Sequence, residues 1–136
     1  MSMLRITVTN TSPDGGTFLT PFWFGLHNGD FDLADRGSAA SPGLEALAED
    51  GNFDPIAAEL IGADAGALGG AVFGEAGPIA TGEIASTVIN ADGSALPYIS
   101  LAAMILPSND AFIGTLDAVE LFDEAGDFLG PVTLNF

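Results

Sequence analysis

The chain has one imidazole, His27, standing in the run His27-Asn28-Gly29-Asp30-Phe31-Asp32. An imidazole beside carboxylates is the smallest set of groups for acid–base or nucleophilic chemistry, so a hydrolase-like site around His27, Asp30 and Asp32 is one reading. The same residues also read as a loop pinned by a hydrogen-bonded histidine. No Gly-x-Ser-x-Gly elbow accompanies them, and the serines stand in turn and cap contexts. Asp30 and Asp32 flank Phe31, and alternate positions of an extended segment point the same way. The two carboxylates therefore either share a cation or face solvent together. With 1 His and 0 Cys, the usual zinc sets and all disulfides are excluded.

Two further acidic segments have spacings worth chemical attention. Asp123-Glu124-Ala125-Gly126-Asp127 opens like a calcium loop, but Phe128 and Leu129 follow and no bidentate Glu closes it. A hairpin turn with Gly126 at positive φ accounts for the same residues. Asn109-Asp110 follows the most apolar segment of the chain, at a strand end where loops of a sandwich gather. Calcium is the cation such oxygen donors select.

The acids far exceed these candidates. Asp and Glu number 19 against 2 Lys and Arg, for a net charge of −17, and the only cations are Arg5 and Arg36. That balance argues against nucleic acid and anionic membrane surfaces, which both require a basic patch. Most of the carboxylates read as a solubility surface, with a subset free to gather round a hard cation. The chain is nonetheless 48% apolar with 10 Phe, enough to bury a core, and its 136 residues make one domain. No stretch reaches the roughly 18 apolar residues of a membrane span, so membrane insertion is not expected. No signal-peptide run opens the chain; on an exported protein the signal is expected to have been removed.

The elements that position these residues are mostly strands. Met3 to Asn10 alternates Leu4, Ile6 and Val8 with Arg5, Thr7 and Thr9, a half-buried strand. A turn at Ser12 to Gly16 leads to Phe18–Leu26, a second strand or extended arm in which Pro21 marks an edge or break. His27 to Ala40 is a polar loop. Ser41-Pro42 and Asp54-Pro55 start two short helices, through about Glu49 and Ile61, with Leu44, Leu47, Ile56 and Leu60 on their apolar faces. Gly62 to Gly77 reads as a loop holding at most a short strand, Ala71 to Phe73. Glu83 to Asn90 is a strand, and Tyr98 to Leu106 is an apolar run of strand length, expected to be covered on both faces. Val119 to Phe122, a turn, and Phe128 to Phe136 form a final hairpin. The sum is an all-β, antiparallel β-sandwich with a short helical insertion.

The order of segments carries a resemblance. Ile6-Thr7-Val8-Thr9-Asn10, Leu19-Thr20-Pro21, His27 to Leu33, Gly37-Ser38-Ala39-Ala40-Ser41, Leu44 to Gly51 and Ala103 to Gly114 follow one another as in the spondin amino-terminal domain of the F-spondin type, in its bacterial form. The likeness runs from Leu4 to Phe136, and the domain is placed at residues 3–136, with Met1 and Ser2 as start or cloning residues. The resemblance implies a non-catalytic, secreted or cell-surface module with a C2-like sandwich. It implies calcium at loops on one end of the sandwich, and an extracellular or cell-surface protein or glycan as the ligand in adhesion or matrix attachment.

The calcium-binding aspartate of the family falls on Asp110, with Asn109 beside it. The family's other acidic ligands stand in a later Trp-Asp-Ala-Gly-Thr-Glu-like segment that this sequence lacks, so the chain reads as shortened at its C-terminal end. Asp123 and Asp127 reproduce the acid spacing in the preceding hairpin. The expected metal set is thus Asp110, Asn109, Asp123 and Asp127. A missing last strand would leave a sheet edge open, and an open edge invites pairing with a second copy. A self-assembling surface or fibre component without a metal is the alternative to the adhesion module.

Overall fold

The computed structural model describes residues 1–136. It is an antiparallel sandwich with two helices on the outside of the larger sheet. The smaller sheet has two strands, β1 (Ser2–Thr9) and β5 (Ile84–Ala91), in register from Ser2 opposite Ala91 to Thr9 opposite Ile84. Alternation fixes its faces: Leu4, Ile6, Val8, Ala85 and Ile89 turn inward, and Met3, Arg5, Ile84 and Val88 turn outward. Ser2 is thus built into the sheet, one residue earlier than expected.

The larger sheet is organised on β6 (Tyr98–Leu106). One side of β6 pairs with β2 (Phe18–Leu19) and then β3 (Phe22–His27), and β3 pairs onward with the edge strand β4 (Leu68–Val72). The other side pairs with β7 (Phe112–Gly114) and β8 (Val119–Glu120). Strands β3 and β6 are covered on both faces. Phe22, Phe24, Leu26, Ile99, Leu101 and Ala103 pack toward the smaller sheet, whereas Trp23 and Ala102 pack under the helices.

The segment expected as an edge or arm, Phe18–Leu26, is therefore interior. Its Pro21 is accommodated by a bulge: Leu19 is opposite Ile105 and Trp23 is opposite Ala102, so the β2–β3 side has one residue more. At that bulge the ladder is repaired by a side chain. Thr20 N–H donates to Met104 C=O (3.0 Å), and the Met104 N–H donates to the hydroxyl of Thr20 (2.9 Å). The same device recurs on the far edge, where β7 gives way to β8. Thr115 N–H donates to Leu101 C=O (2.9 Å), and the Leu101 N–H donates to the Thr115 hydroxyl (3.0 Å). Both threonines are buried.

The helices α1 (Pro42–Asp50) and α2 (Asp54–Ala63) cover the outer face of β3 and β6. Ser41 caps α1 by accepting from Leu44 N–H (3.1 Å). Glu59 of α2 joins the two helices: it accepts from the Ser41 hydroxyl (2.7 Å) and from Gly43 N–H (2.6 Å). The negative charge sits at the positive end of α1. Gly25 lets α2 lie close, since a methyl there would come within 2.8 Å of Leu60 Cδ2. The expected loop from Gly62 to Gly77 holds the end of α2 and all of β4. Its glycine content concealed a strand because the ring of Phe24 covers Gly70, where a methyl would stand 2.7 Å from Phe24 Cζ.

The final hairpin does not form as expected. Phe122 and Phe128 make an isolated bridge, Leu129 N–H donates to Leu121 C=O (2.9 Å), and no strand follows. Gly130 has φ +109° and Pro131 has no N–H, so the ladder cannot continue through them.

Replacing Thr20 or Thr115 by Val keeps the shape and removes the acceptor for a buried amide. Each substitution is expected to cost about 1–3 kcal/mol, with Ser recovering most of it, as measured by urea denaturation.

Candidate functional site

His27 is not in a loop. It is the last residue of β3, opposite Tyr98, and it is fully buried. Phe31 meets its ring edge-on at a centroid distance of 5.5 Å, and Tyr98 stacks at 6.2 Å. The two nitrogens have defined partners. Gly29 N–H donates to Nδ1 (3.0 Å), and Nε2 lies 3.0 Å from the Ser100 hydroxyl. Since Nδ1 accepts, the neutral ring carries its proton on Nε2 and donates it to Ser100 Oγ. A histidine that activates a serine must instead accept the serine's proton. The buried His27–Ser100 pair is arranged the wrong way round for nucleophilic catalysis.

Burial holds the His27 pKa below its ordinary value, opposed by the charges of Asp64 and Asp30. Phe31 and Leu33 are buried in the helix-side core, and Asp30 and Asp32 alternate with them on the solvent side. Asp64 accepts from Asn28 N–H (2.9 Å) and Gly66 N–H (3.0 Å), and Asn28 Oδ1 accepts from Asp30 N–H (2.9 Å). The loop after β3 is held by side-chain oxygens of Asp64 and Asn28 that accept from backbone amides.

Other acids do the same. Asp123 Oδ1 accepts from Ala125 N–H and Asp127 N–H, both at 2.9 Å, closing the Asp123–Asp127 turn. Asp92 accepts from Ser94 N–H, and Glu83 accepts from Glu75 and Ala80 N–H groups. Those backbone bonds lower the Asp92 and Glu83 pKa values. One group behaves oppositely. Asp32 is raised, by desolvation first, then by the neighbouring carboxyl of Asp35 and the charge of Asp117. Asp117 is remote in sequence, and no spacing signalled this encounter.

The expected metal residues fall into two places. Asn109 and Asp110 are exposed in the turn between β6 and β7, beyond Leu106. Asp123 and Asp127 lie at the opposite end of β6, where Glu120 pairs with Tyr98 and Gly126 adjoins Ser94. Tyr98 and Leu106 are eight residues apart in β6, about 26 Å at the rise of a strand. One ion cannot join the two ends. No three His, Asp or Glu side chains converge as metal ligands anywhere in the chain. Calcium takes six to eight oxygens, and Asp110 with Asn109 cannot provide them. The residues present do not fit a resident calcium ion.

The fold and its rim of turns meet a family pattern. The family model described as Spondin_N matches residues 13–136. The chain belongs to this family. Spondin_N domains are typically extracellular adhesion or matrix modules and are generally non-catalytic. In this Spondin_N domain β1 precedes the match, yet it forms half of the smaller sheet. No curated protein matches the chain. No helix is long and apolar enough to cross a membrane.

The depressed His27 pKa has a signed consequence. The unfolded chain binds a proton near pH 6.5, before the folded one does, so the stability that a neutral His27 contributes is complete above that pH. It is lost as the pH falls below about 6.5 toward the folded value. Urea midpoints of the wild type are expected to fall between pH 7 and pH 5, with a shallower fall for His27→Gln.

Proposed function

We propose that this domain is a secreted or cell-surface adhesion module, working as a rigid scaffold without catalysis. The observation that carries the reading is the buried His27, whose Nε2 proton is committed to Ser100 Oγ and whose Nδ1 is committed to Gly29 N–H. The chain's one imidazole is thereby a structural link between β3 and β6, and the typical role of the family supports the rest. The partner is an extracellular or cell-surface protein or glycan. It meets the exposed turns at the sheet ends, where the carboxylates that cap those turns keep the surface hydrated and strongly negative.

Calcium is not part of this reading, because Asp110 stands at the opposite end of β6 from Asp123 and Asp127, and the Asp123 carboxylate already accepts from two turn amides. A metal-free mode also fits the charge. A surface at −17 repels like-charged partners at low ionic strength and selects neutral or cationic ones.

The test is a binding assay on immobilised extracellular matrix and on cell-surface glycans, run in millimolar calcium and in chelator. Saturable binding is expected to be equal in the two conditions, with the melting midpoint unchanged. A midpoint that climbs with calcium concentration would establish a binding site on the folded state and overturn the metal-free mode. Ester or peptide hydrolysis that His27→Gln abolishes would replace adhesion with an enzyme.

A further inference from the structure

Between the open edge of β1 and the β7–β8 side of the larger sheet lies a groove of about 1020 Å³. Ile6, Val8, Ile105, Ile113, Val119 and Leu121 form its apolar walls. None of its 26 lining residues is Asp or Glu, although the chain holds 19 acids, and Arg5 is one of only two cations. On a molecule at −17 this is a cleft without acidic side chains and with one cation at its edge. It is bounded by backbone that has no partner, since β1 pairs only with β5.

The chain's own tail already lines this groove. Val132, Leu134 and Phe136 alternate with Thr133 and Asn135, the period of a strand, and the Phe136 ring lies 6.0 Å from Phe22. Beyond Leu129 the tail nevertheless makes no backbone hydrogen bond. Gly130, at φ +109°, and Pro131, with no N–H, interrupt the ladder at the start of this segment. The tail leaves the Phe122–Phe128 bridge near Gly93, at the Ser2 end of β1, and reaches Phe22, toward the Asn10 end. It runs parallel to β1, the less stable of the two pairing modes, in a molecule whose ladders are all antiparallel. A tail from another molecule is free to enter the other way.

We propose that the groove is a strand-acceptor site, and that its occupant is the Val132–Phe136 segment of a second copy, added antiparallel to the open edge of β1. The segment from Phe128 to Phe136 has no acidic side chain and is mostly apolar, so it can enter an apolar groove that excludes most of this chain's charged surface. Reciprocal exchange gives a closed two-fold dimer with no new surface required. Net repulsion between two copies at −17 opposes the encounter, so salt strengthens this association instead of weakening it. The proposal stands apart from the adhesion reading, which needs no second copy.

Sedimentation of the full chain across concentration, at low and high salt, tests it. A dimer fraction that grows with both is expected. Leu134→Asp places a charge in the groove and should weaken dimerisation at least tenfold, because an unpaired carboxylate loses hydration on entering an apolar cleft. Leu129→Asp, outside the lining, should leave it unchanged; both variants are checked for an unaltered melt. A monomer at all concentrations and salts, or equal effects of the two variants, overturns the proposal. The chain has no cysteine, so a Thr7→Cys protein mixed with a Thr133→Cys protein reports the exchange directly. A disulfide between the two different chains is expected. A bond that forms only within the double variant would assign the groove to the chain's own tail.

Discussion

A strand covered on both faces has no water to satisfy its backbone, so both of its edges must be paired along its length. In this domain Tyr98–Leu106 carries that demand, and neither neighbour can meet it alone. On one side the chain must bulge past Pro21; on the other it must leave β7 to begin β8. Thr20 and Thr115 resolve both breaks by the same chemistry, a hydroxyl accepting from the β6 amide that the ladder would otherwise orphan. The placement of everything else follows from this spine. The smaller sheet packs on one face, and α1 and α2, joined by Glu59, pack on the other.

The spine also decides what the molecule can do chemically. His27 is paired across from Tyr98 at the start of β6, and its hydrogen bond to Ser100 ties β3 to that strand. Its lone pair is used internally, so the residue that suggested reactivity in the sequence contributes order instead. The carboxylates follow a similar logic at the rim. Asp64, Glu83, Asp92 and Asp123 each hold amides of a turn, and a charged acceptor does this more strongly than a neutral one. The acidity of the chain is therefore partly structural.

Much of this was legible in the residues. The alternation of Leu4, Ile6 and Val8 placed β1 and its inner face; Ser41-Pro42 and Asp54-Pro55 placed the helix starts; and the apolar run at Tyr98–Leu106 announced a doubly covered strand. What stayed hidden depended on partners remote in sequence. β4 is written in Leu68-Gly69-Gly70, which carries no strand propensity until Phe24 lies across it. His27 looked polar because Asn28 and Asp30 follow it, whereas its burial is set by Ser100, Phe31 and Tyr98. The hairpin expected over Phe128–Phe136 does not form, because Gly130 at positive φ and Pro131 without an N–H stop the ladder after Leu129. The metal set failed to assemble for a different reason: spacing along the chain does not reveal that Asp110 and Asp123 stand at opposite ends of one strand.

Native-state amide hydrogen exchange resolved by residue tests the central role of β6 most directly. The amides of Leu101 and Met104, which donate to threonine hydroxyls, should exchange only through global unfolding, at the same free energy as the amides of β6 bonded to backbone. Exchange of these two at rates typical of surface turns, with the rest of β6 still protected, would contradict the account.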